Sequence, residues 1–149
     1  MSIENEIEKH LAASKAKSKQ RAANSAQYEK RQAEGLAFFE ALKKSTIIPA
    51  IEAVVAALSK GGVNAALSQA EQIERPNNVP IHSFAGLEVN GAVVRFEWIG
   101  HKEKIRVFAS RALNHIGIPV NDQEAFVAPV ELSTKIVNSY LLATIRLVT

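Results

Sequence analysis

The sequence predicts an α+β fold in which a long N-terminal helical region comes first, an antiparallel β-meander follows, and a C-terminal helix closes the chain. Three observations predict this order. Residues 1–34 contain neither proline nor glycine and are rich in helix-favouring alanine, lysine, glutamine and glutamate. Residues 81–110 alternate apolar with polar side chains around two glycine-containing turns. Residues 130–147 return to helical spacing with one apolar side.

The first segment, residues 1–34, is predicted to be a charged helical arm beside a single α+β domain over residues 35–149. Ile3, Ile7 and Leu11 recur every four residues and give the arm an apolar stripe at its start. Beyond them the regular apolar positions are mostly alanine, at the alternating spacings of four and three residues that are typical of a coiled coil. An alanine seam buries little area and drives association weakly. The sequence leaves open whether residues 1–44 form one ordered helix.

A second helix is predicted over residues 46–60. A wide apolar stripe runs through it at helical spacing, and Gly61-Gly62 follows as a stop signal. Polar residues interrupt the apolar pattern just before it, and Ser45 or Thr46 can cap this helix. The sequence leaves open whether the helical region before it joins this helix through a kink or is separate from it. Residues 63–73 fit either a helix or a strand, and their period-two alternation favours a strand.

Two tight turns predict a three-stranded antiparallel meander within residues 85–107. Asn90-Gly91 is the leading type I′ hairpin dipeptide, and Gly100-His101 fits a two-residue type II′ turn. The first turn predicts the pairs Val89–Ala92, Leu87–Val94 and Ala85–Phe96, and the second predicts Trp98–Glu103, Phe96–Ile105 and Val94–Val107. Both registers collect the apolar side chains on one face. The charged side chains go to the opposite face, which an antiparallel sheet can leave to solvent: Glu88, Arg95, Glu97, Lys104 and Arg106.

The rest of the chain completes the sheet and covers it. Residues 125–127 are expected to add a short edge strand, for a total of three to five strands. Pro129 fits the start of a closing helix over residues 130–147. This helix and the helix over residues 46–60 are the available covers for the apolar face. The sequence leaves open whether residues 111–128, which are rich in turn residues, line a pocket.

Composition excludes several classes of function. The 149 residues include no cysteine, which excludes disulfides and thiolate chemistry. The net charge of +3 is uneven: residues 1–8 carry −3, residues 9–31 carry 7 − 1 = +6, and residues 32–149 carry 11 − 11 = 0. Apolar runs fall far short of the ~20 residues that span a bilayer, so no membrane partner is expected. Without a recognisable secretory signal, a cytoplasmic location is expected.

The sequence predicts no catalytic, cofactor-binding or metal-binding residue. The four histidines lack the spacing of helical metal ligands, and Asp122 is the single aspartate. Neither a phosphate-binding glycine loop nor a nucleophile elbow occurs. The sequence therefore favours a protein that is not an enzyme.

The leading hypothesis is a non-enzymatic interaction or structural protein that self-associates through its N-terminal helix as a homo-oligomer, with a dimer favoured. A long helix gains little stability alone and usually packs on a partner. The predicted contacts are apolar residues near the two ends of the helical region: Ile3, Ile7, Leu11, Leu36 and Phe39.

Two alternatives stay open. The basic segment 9–31 fits an electrostatic arm that binds nucleic acid, although a solvated helix that carries charge for solubility fits the same residues. The cations of this arm are Lys15, Lys17, Lys19, Arg21, Lys30 and Arg31. The second alternative is a small-molecule-binding domain with a pocket between the sheet and its helices.

Overall fold

The computed structural model describes residues 2–72, 82–110, 112–113, 119–120 and 123–148. Its helices are α1 (Ile3–Leu42), α2 (Ile48–Lys60) and α3 (Thr134–Val148), and a π-helical turn (Lys43–Ile47) joins the first two. The strands of this described part are β1 (Ala65–Ala70), β2 (Phe84–Val89), β3 (Ala92–Ile99), β4 (Lys104–Ser110), β5 (Ala112–Leu113), β6 (Pro119–Val120) and β7 (Gln123–Val127). These elements confirm the α+β class. The chain divides into two compact units, Met1–Glu34 and Gly35–Thr149.

The helical backbone continues from α1 into α2, which answers a question that the sequence leaves open. The Ile48 N–H donates to the carbonyl oxygen of Lys43, five residues earlier, which is the bond of a π-helix. Ser45 and Thr46 lie inside this turn, and no side chain caps the start of α2. Pro49 lies in the first turn of α2. Because proline has no N–H to donate, the regular ladder of α-helical bonds is interrupted there without ending the helix.

A five-stranded antiparallel sheet with the strand order β1-β2-β3-β4-β7 forms the centre of the second unit. The ambiguous segment at residues 63–73 is a strand, β1, as its alternation favours. β7 confirms the expected edge strand and pairs with β4. The short strands β5 and β6 pair with each other.

The first hairpin is confirmed in both turn and register. Asn90 and Gly91 have φ angles of 48° and 84°, as a type I′ turn requires at both central positions. The three residue pairs predicted across β2 and β3 are all observed.

The second turn is longer than predicted, and the register between β3 and β4 differs by two residues. Gly100–Lys102 form a 3₁₀ turn, and Glu103 closes it with a left-handed φ of 51°. The observed pairs are Trp98–Ile105, Phe96–Val107 and Val94–Ala109. A strand repeats every two residues, so this shift leaves every side chain on its predicted face.

The apolar face of the sheet is the core, and both α2 and α3 contact the sheet. The predicted inward side chains of β2, β3 and β4 are all buried: Ala85, Leu87, Val94, Phe96, Trp98, Ile105 and Val107. Helix α3 begins at Thr134, a few residues later than predicted, because Pro129–Glu131 form a 3₁₀ turn first. The Ser133 Oγ then accepts the N–H of Ile136 at 3.3 Å, which satisfies a free amide at the start of α3.

Candidate functional site

The arm part of α1 presents the first candidate surface. Residues 2–31 are all exposed, and Ile3, Ile7 and Leu11 are 72%, 52% and 58% exposed. Large apolar side chains are seldom exposed in a continuous row on a soluble protein, and such rows mark interaction surfaces. The structure therefore leaves the predicted stripe available to a partner.

The predicted nucleic-acid residues lie on the same exposed stretch, but they do not form one basic face. Successive α-helical residues turn by about 100°, so Lys15 and Lys19 share one side while Lys17 and Arg21 share the opposite side. Lys30 lies near a carboxylate, with its Nζ 4.0 Å from Glu34 Oε1. A duplex lying along one side of this helix would meet only part of the basic set.

Leu36 and Phe39 belong to the second unit and do not extend the exposed stripe. Phe39 is fully buried and stacks on Trp98, with ring centroids 6.1 Å apart. Leu36 is half-buried and packs against the same core. Phe39 is therefore a core residue, and the expectation that it contacts a partner is corrected. The apolar residues at this end of α1 pack within the second unit.

A buried polar cluster that the sequence analysis missed lies where α1 meets the sheet. The side chain of Lys43 is almost fully buried, and its Nζ lies 3.0 Å from Glu40 Oε2 and 2.9 Å from Ser83 Oγ. Ser83 is fully buried and donates its hydroxyl hydrogen to Glu40. Lys43 Nζ also donates to the carbonyl oxygen of Ala70 at 3.4 Å. One lysine thus holds the end of β1 and the residue just before β2.

Serine, lysine and glutamate together can form a nucleophilic site, but the geometry here favours a structural role. A nucleophile must reach a substrate carbonyl, and Ser83 has no exposed surface. The adjacent cavity, of about 300 Å³, is lined by Glu40, Lys43 and residues of β1, and Ser83 is not part of its wall. The signal in the sequence was the spacing of Phe39, Lys43 and Ile47, which places a lysine on the buried stripe of a helix.

The outer face of the sheet alternates arginine with phenylalanine rather than leaving its charges in open solvent. The Arg95 guanidinium lies 4.6 Å from the ring centroid of Phe84 and 5.9 Å from that of Phe108. Its side chain is only 18% exposed, and its Nε has no hydrogen-bond partner in the described part of the chain. Arg106 stacks on Phe108 at 4.4 Å and pairs with Glu124 at 2.6 Å. These stacked cations stabilise the sheet from outside, because a weakly hydrated guanidinium tolerates an aromatic neighbour.

A second cavity, of about 270 Å³, lies between the sheet and α3. Its wall is mostly apolar, and Tyr140 packs edge-on against Phe96 beside it. The Thr144 hydroxyl there donates to the carbonyl oxygen of Tyr140 and is already satisfied. Much of residues 111–128, the expected lining, falls outside the described residues. The described lining is Val107, Ala109, Glu124, Ala125, Tyr140, Ala143 and Thr144.

Within the described residues, no helix combines the length and apolar character needed to cross a bilayer. In that same part of the chain, no group of three or more histidine, aspartate or glutamate side chains is placed to hold a metal ion. Comparison of the chain with protein-family models, with curated proteins and with solved structures finds no match.

Proposed function

We propose that this chain is a homo-oligomeric, non-enzymatic interaction protein that assembles through antiparallel pairing of its N-terminal helix. The observation that carries the proposal is the exposed row of Ile3, Ile7 and Leu11 on the arm part of α1, whose other residues are polar or alanine. An isolated helix gains little stability alone. Pairing would remove these side chains from water and give the helix a packed partner.

Small residues continue the apolar stripe along the helix. The spacings between its members are the same when counted from either end. Its members are separated by 4, 4, 3, 4 and 4 residues: Ile3, Ile7, Leu11, Ser14, Ser18 and Ala22. In an antiparallel pair centred between residues 12 and 13, the large half of one stripe faces the small half of the other. Alternating large and small residues across an interface lets helices pack closely.

Charge favours the same orientation. Glu4 and Glu8 lie on the same side of the stripe as Lys15 and Lys19, so one row carries acids at its start and bases farther on. Antiparallel pairing places the acids of one copy beside the bases of the other. Parallel pairing would place the acidic first turns together and is disfavoured by like-charge repulsion.

Cysteine crosslinking tests the orientation, because the natural chain has no cysteine. We expect Ser14→Cys, near the centre of the pair, to crosslink to itself with a short bis-maleimide. In an antiparallel pair, residue 2 of one copy lies far from residue 2 of the other, so Ser2→Cys should not crosslink. Equal crosslinking of both variants would indicate a parallel pair, and no crosslinking of either would contradict the proposal.

Sedimentation equilibrium tests the surface. Ile7→Gln/Leu11→Gln should lower the average mass relative to the natural chain, because glutamine keeps helix propensity but removes the apolar stripe. Ala13→Gln/Asn24→Gln alters a side of the helix away from both this stripe and the alanine seam, and it serves as the matched control. A natural chain that sediments as a monomer at micromolar concentration would contradict self-association.

Nucleic-acid binding by the arm is the second candidate. It is favoured by Lys15, Lys17, Lys19 and Arg21, which are exposed and form no ion pair within the described part of the chain. Fluorescence anisotropy with labelled duplex DNA and with single-stranded RNA tests it. Binding that weakens steeply with salt and is lost in Lys15→Gln/Lys19→Gln supports it. Absence of binding in low salt contradicts it.

Small-molecule binding is the third candidate, and the cavity of about 270 Å³ beside α3 is the observation that favours it. Ala143→Phe would fill this cavity, whereas Leu142→Phe changes an exposed neighbour. Ligand-observed NMR with small aromatic probes such as indole should show binding that only Ala143→Phe abolishes. Equal signals for both variants would place any binding elsewhere.

A further inference from the structure

Strand β1 is an edge of the sheet that lacks the usual protection. Within the described residues no strand pairs with its outer side. Natural edge strands are commonly blunted by charges, prolines or bulges, because their free backbone groups can recruit another strand. The six residues of β1, Ala65–Ala70, include no charge and no proline, and they pair with β2 in an unbroken register.

The hydrogen-bond pattern shows which backbone groups of β1 point outward. Asn90 N–H donates to Asn64 O at 3.2 Å, and bonded pairs recur at every second residue of an antiparallel ladder. Residues 66, 68 and 70 therefore bond to β2. The N–H and C=O groups of Ala65, Leu67 and Gln69 point away from the sheet and are free to bond to another strand.

An apolar rim lies beside this edge. Helix α2 packs against β1. Val54, Val55 and Leu58 of α2 and Leu67 of β1 are half-buried hydrophobic residues at the margin of the core. A strand added to β1 would cover this margin as well as the backbone groups.

We propose that a second copy of this chain pairs with β1 through its own β1, antiparallel about Leu67, to form a sheet of ten strands with five from each copy. A two-fold interface must be complementary to itself. In this register Leu67 faces Leu67 and Ala65 faces Gln69, so no like charges meet. The outward groups of these residues complete each other's hydrogen bonds.

The ends of the strand add opposite charges. Glu71 directly follows β1, and Lys60 lies in the last turn of α2, shortly before the strand begins. Antiparallel pairing about Leu67 places Glu71 of one copy opposite Val63 of the other, which follows that copy's Lys60 by three residues in the chain. This complementarity favours a second copy over an unrelated strand as the occupant.

The edge and the arm are separate surfaces, so equilibrium masses distinguish the two proposals. If the two surfaces pair with different copies, the natural chain exceeds a dimer, and Ile7→Gln/Leu11→Gln reduces it to a dimer. If that double variant is a monomer, the edge proposal is overturned while the arm proposal stands. If the natural chain and the double variant are both dimers, the edge proposal stands, and crosslinking of Ser14→Cys shows whether the arms of the same two copies also pair. A monomeric natural chain overturns both.

The decisive variant is Gln69→Pro, made in the Ile7→Gln/Leu11→Gln chain. Proline removes an outward N–H but none of the bonds to β2, which an edge strand tolerates. We expect the mass to halve. Gln69→Thr keeps the N–H and serves as the control, which should remain a dimer. A Gln69→Pro chain that remains a dimer overturns the proposal.

Hydrogen exchange gives a readout that needs no change in β1. In the Ile7→Gln/Leu11→Gln chain, the amides of Ala65, Leu67 and Gln69 should exchange at least about tenfold more slowly above the dimerisation concentration than below it. The amides of Ala66 and Ser68, which bond to β2, should change less. Rapid exchange of the three outward amides at every concentration would overturn the proposal.

Discussion

The two ends of α1 have similar helix-forming composition but different surroundings. The end near the N-terminus is exposed over residues 2–31, whereas the end over residues 35–42 carries Phe39 into the core. Intrinsic propensity is thus sufficient to predict helix along all of α1, but it does not tell which part is packed. Large side chains at close spacing mark the packed end, and isolated ones mark the free end. Substitutions at the two ends should therefore differ sharply in their effect on stability.

The largest contrast is expected at neighbouring phenylalanines. Phe39→Ala should lower the free energy of unfolding by about 3–5 kcal/mol, because it leaves a cavity against Trp98. Phe38→Ala, at an exposed position, should change it by less than about 1 kcal/mol. Urea denaturation measures both. Equal losses of stability in the two variants would contradict the assignment of Phe39 to the buried side of α1 and of Phe38 to its exposed side.

Two lysines that are neighbours in the chain, Lys43 and Lys44, should also differ in their effect on stability. Lys43→Met removes the group that bonds to Ser83, Glu40 and Ala70. Buried polar groups left without partners destabilise, so we expect a loss of about 2 kcal/mol. Lys44→Met, at an exposed position, should be close to neutral in the same urea titration. A Lys43→Met variant as stable as the natural protein would show that the cluster contributes nothing.

Gly35 tests how closely α1 approaches the sheet. An added Cβ would lie 2.6 Å from Cζ2 of Trp98. Gly35→Ala should therefore destabilise by about 1 kcal/mol, since overpacking outweighs the gain in helix propensity. In a Trp98→Phe background, which removes that ring atom, the same substitution should be neutral or stabilising. Thermal unfolding of the four chains checks this, and an equal effect in both backgrounds would contradict the close approach.

The smallest effect on the stability of the second unit is expected from substitutions at the exposed end of α1. In a dilute sample, Ile7→Gln/Leu11→Gln should change the free energy of unfolding, measured by urea denaturation, by no more than about 0.5 kcal/mol. It should, however, reduce the dependence of the melting temperature on protein concentration, because that dependence comes from association. Melting curves over a hundredfold range of concentration measure this. If the melting temperature of the variant depends on protein concentration as strongly as that of the natural chain, the stripe does not mediate assembly.

The sequence predicted those parts of the fold that depend on residues close to one another in the chain. Asn90-Gly91 fixes its turn because both residues adopt positive φ, and the register of β2 and β3 follows. The turn after β3 was predicted with the wrong length, because Glu103 adopts a left-handed conformation that its residue type does not favour. The faces of β4 were still predicted correctly, since a period of two cannot distinguish registers that differ by two.

The candidate sites were predicted less well, because they depend on distant contacts. Lys43 and Ser83 are 40 residues apart, and only the fold brings them together. The exposure of Ile3, Ile7 and Leu11 followed from their isolation in a polar segment. The edge character of β1 depends on strand order, which no residue within β1 encodes.

The π-helical turn has a consequence for tolerance to changes in chain length. Four buried residues, Phe39, Lys43, Ile47 and Ile51, recur at intervals of four, although an ordinary α-helix would rotate such a row steadily around its axis. The wider turn takes up that rotation and keeps the row facing the sheet. Deleting one residue there, such as Ser45, would leave spacings of four, three and four, which an ordinary α-helix keeps on one face, so the row should still face the sheet. Inserting one residue would instead exceed what the wide turn takes up, rotate α2 by about 100° relative to α1 and turn its apolar side away from the strands. The same insertion among residues 12–30, which are all exposed, should leave this row undisturbed.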